Sequence, residues 1–257
     1  MRRGSAAALL VLACAAASAQ ERALPLDQLK SGSAFLGQDL RTLQADEFAN
    51  PGMLWVERGE RLWSEPAGKE KRSCAGCHSV ASMRGVALRY PKIDEASGKL
   101  FNLEGRINLC RTERMGAQAL SYESEDLLAL TTFVARQSRG MPIGVAIDGP
   151  ARAHLDAGRE FFFQRRGQLN LTCAHCHDEN WGKRLLAETI TQGHPNAWPA
   201  YRLEWQTFGS LERRLRACLS GIRAEMLPYG AQELIDLELF LAWRAQGLAV
   251  EAPGVRR

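Results

Sequence analysis

Cys74-Ala75-Gly76-Cys77-His78 and Cys173-Ala174-His175-Cys176-His177 both read C-x-x-C-H. In this signature two thiols bind a porphyrin covalently and the adjacent histidine ligates its iron. Two copies predict two covalently bound haem c groups. Cys74, Cys77, Cys173 and Cys176 would be the attachment points, and His78 and His177 would be iron ligands.

Outward from the motifs the chain resembles itself. A shift of 99 positions lays Gly59 on Gly158, Gly68 on Gly167 and Ser73 on Thr172. Beyond the motifs the register changes to 107, because extra residues surround His194-Pro195-Asn196-Ala197-Trp198-Pro199. There Tyr122 meets Tyr229, Leu127 meets Leu234, Leu130 meets Leu237 and Phe133 meets Phe240, while Ala135 meets Ala242 and Gly140 meets Gly247. The apolar residues of 233–241 keep near-helical spacing, with Asp236 and Glu238 off that face, and a glycine lies just beyond. Ahead of each motif, 55–63 and 153–164 read as helices.

The expected fold is therefore mainly α, with two tandem cytochrome c-like domains related by internal duplication. Residues 20–50 read as an N-terminal extension packed on the body, 51–147 as the first domain and 148–257 as the second. The Gly/Pro-punctuated stretch 140–150 marks the boundary.

A hydrophobic content of 46% with 24% charged residues fits a globular chain. Arg2 and Arg3, the apolar run from Ala6 to about Ala13 and Ala17-Ser18-Ala19 read as a signal peptide over residues 1–19. Cys14 falls inside it, and a lipobox reading of Leu12-Ala13-Cys14 is the weaker alternative. The run is shorter than the roughly 18 residues of a membrane span. Loss of Arg2 and Arg3 takes the formal charge from +4 to +2, which points to no nucleic-acid partner. Export places the chain in the periplasm, an oxidising compartment.

Six cysteines remain after the signal, and the haem motifs use four. Cys110 follows His78 by 32 residues and Cys218 follows His177 by 41, in the region where a second axial ligand is normally supplied. Met83, Met115 and Met226 compete for that role, but Met115 and Met226 stand five and eight residues after their cysteines, so their registers disagree. Arg106 and Arg214 each precede a cysteine by four, an element that repeats in register. A Cys110–Cys218 disulfide remains the alternative. His175 and His194 read as surface or propionate neighbours, Phe161-Phe162-Phe163 as core, and His154 has no identifiable partner.

Duplicated C-x-x-C-H motifs, one further cysteine in each half and Arg214-Leu215-Arg216-Ala217-Cys218 together resemble the SoxA family, over nearly the whole mature chain. The resemblance implies a periplasmic L-cysteine S-thiosulfotransferase, paired as a heterodimer with a monohaem SoxX cytochrome. It would join thiosulfate to a cysteine of a SoxYZ carrier and release two electrons to a soluble cytochrome c. It further implies His78 and Cys110 as ligands of the first haem, and His177 and Cys218 of the second. Cys218 would be the catalytic cysteine, found as a persulfide, and Arg214 would face the substrate. The rival readings are a dihaem electron-transfer cytochrome without chemistry of its own and a dihaem peroxidase.

Overall fold

The computed structural model describes residues 24–257, so the expected signal peptide and Cys14 lie outside the described residues. The described chain is mainly helical. Helix α1 spans Gln38–Ala45, α2 Met53–Ser64, α3 Leu103–Met115, α4 Glu125–Arg136, α5 Ala151–Phe163, α6 Cys173–His177, α7 Leu211–Gly221 and α8 Gln232–Arg244. Short strands punctuate them. β1 (Lys92–Ile93) pairs antiparallel with β2 (Leu100–Phe101), and β3 (Arg184–Leu185) with β4 (Glu188–Thr189). β5 (Ala200–Arg202) lies between antiparallel β6 (Thr207–Gly209) and parallel β7 (Gly254–Arg256).

Two helix pairs build the body, α2 against α4 and α5 against α8. Glycine makes both crossings possible. A Cβ on Gly59 would stand 2.2 Å from the Ala129 carbonyl oxygen, and one on Gly158 2.0 Å from that of Asp236. No other residue allows backbones so close, which is why these two positions match in the sequence. The next aligned pair also acts alike. Gly68 and Gly167 have φ of +72° and +67°, and a Cβ on them would meet the carbonyls of Met115 and Ile222 at 2.1 and 2.2 Å. Each half then makes one isolated bridge, Ala67 with Arg72 and Arg166 with Leu171, just before its haem motif.

The aligned apolar residues all face inward: Leu127, Leu130, Phe133, Leu234, Leu237 and Phe240 are buried. α2 runs two residues before and one beyond its expected limits, and α5 starts two residues early and stops one residue short. Between motif and closing helix the structure forms α3 and α7. Asn102 and Ser210 start them, each accepting from the backbone N–H three residues on.

Three expectations about α8 and α5 are corrected. α8 is buried on nearly every side, so Asp236 and Glu238 are not on a solvent face. Both find partners in other elements: Asp236 Oδ1 lies 2.8 Å from His154 Nδ1, and Glu238 Oε1 3.5 Å from Asn102 Nδ2. His154 therefore has a partner, 82 residues away. Of the phenylalanine run, Phe161 and Phe162 are core, whereas Phe163 is 44% exposed and edge-on to Phe240. No helix among the described residues is long and apolar enough to cross a membrane.

Candidate haem and substrate site

The second motif is the more tightly built. Thr172 caps α6 by accepting from the His175 N–H, while the His175 ring returns a bond to the Thr172 backbone N–H at 2.9 Å. This reciprocal cap explains His175: it closes the turn that carries Cys173, Cys176 and His177. His177 is oriented from behind, its Nδ1 lying 2.7 Å from the Thr191 carbonyl oxygen. Nδ1–H therefore donates, and the Nε2 lone pair is left for iron. Burial lowers the His177 pKa, so the ring is held in the neutral form that a metal ligand requires. Gly193, at φ +74°, presses on the same ring; a Cβ there would stand 2.9 Å from His177 Cγ. A histidine fixed on the tautomer a metal needs, directly after Cys176 and with two residues between the free thiols Cys173 and Cys176, fits covalent haem attachment.

Cys218 belongs to this site and Cys110 to the other. Burial pushes the Cys173 thiol up to about 12, and negative charge on Cys218 adds to it; Cys176 is raised by the same two causes. Cys218 thus stands within electrostatic reach of both thiols. Burial likewise raises Cys74, and the charge that adds to it comes from Cys110. All six described cysteines are free, so no disulfide joins Cys110 to Cys218.

The methionines separate as well. Met115 is buried in the core and Met226 is 43% exposed, while Met83 packs at the edge of the core.

α7 sends its arginines in three directions. Arg213 stacks on Trp205 at 4.3 Å, and Arg216 on Tyr229 at 4.3 Å. Arg214, one turn before Cys218 on the same face, reaches toward β4, with Nη2 3.6 Å from Glu188 Oε2. Its charge helps to depress His177. In the first half Arg106 is committed: its Nη1 donates to Asp94 Oδ1 at 2.6 Å. Hydrogen bonds from Ser97, followed by the Arg106 bond, hold the Asp94 carboxyl below its ordinary range. Two arginines at the same spacing thus differ in availability.

His194 is not a surface residue. It is buried, its Nε2 lies 3.1 Å from Gln192 Oε1, and burial drives its pKa down to about 3, with Arg244 and His177 adding to it. Arg244 itself is buried over Phe162 and ion-paired to Asp178. Sequence reasoning missed Thr191, Gly193, Glu188 and Arg202. The first two act through a carbonyl and a missing side chain, which no side-chain pattern announces.

Comparison with known proteins bears on the family and the fold. The SoxA/TsdA cytochrome c domain family matches residues 58–143. The L-cysteine S-thiosulfotransferase subunit SoxA of Rhodovulum sulfidophilum is 40% identical over 232 residues, 90% of this chain and 81% of that protein. The subunit of the same name from Pseudaminobacter salicylatoxidans is 40% identical over 236 residues, 91% of this chain and 82% of that protein. A crystal structure of SoxXA from P. pantotrophus superposes with a TM-score of 0.86 at 37% identity, covering 89% of this chain and 87% of that one. The chain belongs to the SoxA family.

Proposed function

We propose that this chain is the SoxA subunit of a periplasmic L-cysteine S-thiosulfotransferase, a thiosulfate-oxidising cytochrome that works as a heterodimer with a SoxX-like cytochrome. The observation that carries the reading is the convergence of His177, on α6, with Cys218 and Arg214, on one face of α7, in a chain of this family. Two haem c groups are held through Cys74 and Cys77, and through Cys173 and Cys176. His78 and Cys110 ligate the first iron, and His177 and Cys218 the second. The repeated use of aligned glycines and caps supports a duplicated unit, with boundaries near 51–147 and 148–257.

Haem c, when bound, supplies a one-electron acceptor beside the substrate. The chain's own residues do the rest. Arg214 presents a planar guanidinium to the sulfonate oxygens of thiosulfate. Cys218 places a soft, nucleophilic sulfur where the new sulfur–sulfur bond forms.

In the overall reaction the S–H bond of a carrier cysteine on a SoxYZ-like protein breaks. A bond forms between that sulfur and the sulfane sulfur of thiosulfate. One proton and two electrons leave, the electrons to oxidised soluble cytochrome c.

Replacing Cys218 with methionine separates ligation from chemistry. The C218M heterodimer is expected to keep a low-spin haem spectrum and to lose transfer to the carrier. Full turnover by C218M would overturn the catalytic role, and would favour a cytochrome that only carries electrons.

A further inference from the structure

Arg214 already has an anion beside it. One oxygen of the Glu188 carboxylate, Oε2, lies 3.6 Å from Arg214 Nη2, while the other, Oε1, accepts from Arg202 Nη2 at 2.5 Å. These contacts differ in kind. The second is a short charge-assisted hydrogen bond; the first is beyond hydrogen-bonding distance and purely Coulombic.

The guanidinium of Arg202 is anchored. Its side chain is 3% exposed, it also donates to Glu204 Oε2 at 2.5 Å, and it lies over the Trp205 ring at 4.9 Å. Arg214 is a third exposed, as is Glu188. The carboxylate is therefore tethered on the buried side and exchangeable on the open side. Arg214 lies one turn before Cys218 on the same face of α7, which sets this ion pair beside the cysteine assigned to the chemistry.

We propose that Glu188 is a built-in competitor of the substrate anion. It neutralises Arg214 when no sulfonate is present, gives way at Arg214 when thiosulfate arrives, and returns as the sulfonated product leaves. Arg202 retains it throughout. The inference rests on the assignment of Arg214 to the sulfonate. No bond is made or broken in this exchange; one ion pair replaces another. Its consequence is a lower ground-state affinity than two adjacent guanidiniums would give, which keeps a dianion from being trapped.

The test is isothermal calorimetry on the intact heterodimer, with sulfate as a non-reacting tetrahedral dianion and with thiosulfate. Glu188→Gln keeps an oxygen for Arg202 and removes the charge. It is expected to tighten both anions about twofold to fivefold, the fold-change that matches an exposed ion pair. Glu188→Ala should act in the same direction, and serves if E188Q does not assemble with an unaltered haem spectrum.

The E188Q/R214A double variant should bind like R214A, because Glu188 acts through Arg214. Unchanged or weaker binding in both Glu188 variants, or a gain that survives R214A, overturns the competitor role. If R214A alone leaves thiosulfate binding intact, the assignment of Arg214 fails instead.

Discussion

At the scale of single residues, the second site depends on atoms that carry no chemical signature of their own. Gly193 at φ +74° stands against the ring of His177, and Thr191 holds Nδ1 through a main-chain oxygen. Gly193→Ala would force its Cβ to within 3 Å of Cγ, so either the loop or the imidazole must move. A left-handed alanine and an overpacked ring together should destabilise the fold by about 1–3 kcal/mol. The expected result is a lower denaturant midpoint and a perturbed absorption of the second haem only. An unaltered spectrum and midpoint would show that the loop yields freely. The thiols, His177, Cys218 and Arg214 were legible in the sequence because their chemistry and spacing are local. Gly193, His194 and the His154–Asp236 pair were not, since each owes its role to a neighbour brought up by the fold.

At the scale of elements, the periodic helices were readable and their polar exceptions were not. Glu238 sits on a helix buried on nearly every side and shares the Asn102 amide with Glu212, from the first turn of α7, while Glu104, from the first turn of α3, is a neighbouring charge to both. α3 and α7 are the helices that bear Cys110 and Cys218. Burial first, then the neighbouring carboxylates, raises all three; Glu104 is pushed up to about 7 and Glu212 to about 8 from an ordinary 4.5. Tyr122, which donates to Asn102 at 3.2 Å, is raised beyond its usual range by burial and by the same acids. Between pH 4.5 and 8 the folded chain therefore holds protons that the unfolded chain has released. Stability from these groups is complete below pH 4.5 and is lost as pH rises toward 8, by up to about 1.4 kcal/mol per unit for each proton. Glu212→Gln keeps one of the two oxygens that accept from Asn102 and the Gly230 N–H and removes the charge, so its unfolding midpoint should fall less than the wild type's from pH 6 to 8. Equal slopes would mean that Glu212 is ionised in the native chain.

At the scale of the whole molecule, two domains in sequence become one interlocked body. The stretch 24–50, the described part of the extension expected over 20–50, straps the second half of the chain. Lys30 N–H donates to Gln192, Ser33 and Gln44 donate to Glu251, Asn50 donates to the Pro253 carbonyl, and Asn196 donates to Ser31. The expected boundary segment pairs with the C-terminal tail, Gly140 and Ile143 donating to the carbonyls of Val250 and Leu248. Tyr122 and Tyr229, matched by the repeat, stack on each other at 6.4 Å, and Trp55 stacks on Phe208 at 5.0 Å. Such long-range closures leave no trace in a repeat, because a repeat describes each half alone. Cutting at 147 would remove the Gln28, Lys30, Ser31, Ser33 and Gln44 partners of Gln192, Asn196 and Glu251, each lost hydrogen bond costing about 1–3 kcal/mol where the group stays buried. Few domains have that much stability in reserve. The full mature chain is accordingly expected to unfold in a single calorimetric transition, its calorimetric and van't Hoff enthalpies equal. The fragment 148–257, with its haem attached, should show no cooperative transition at the same temperature. Two separated transitions in the full chain, or a fragment melting as sharply as the parent, would restore the picture of two independent cytochrome domains.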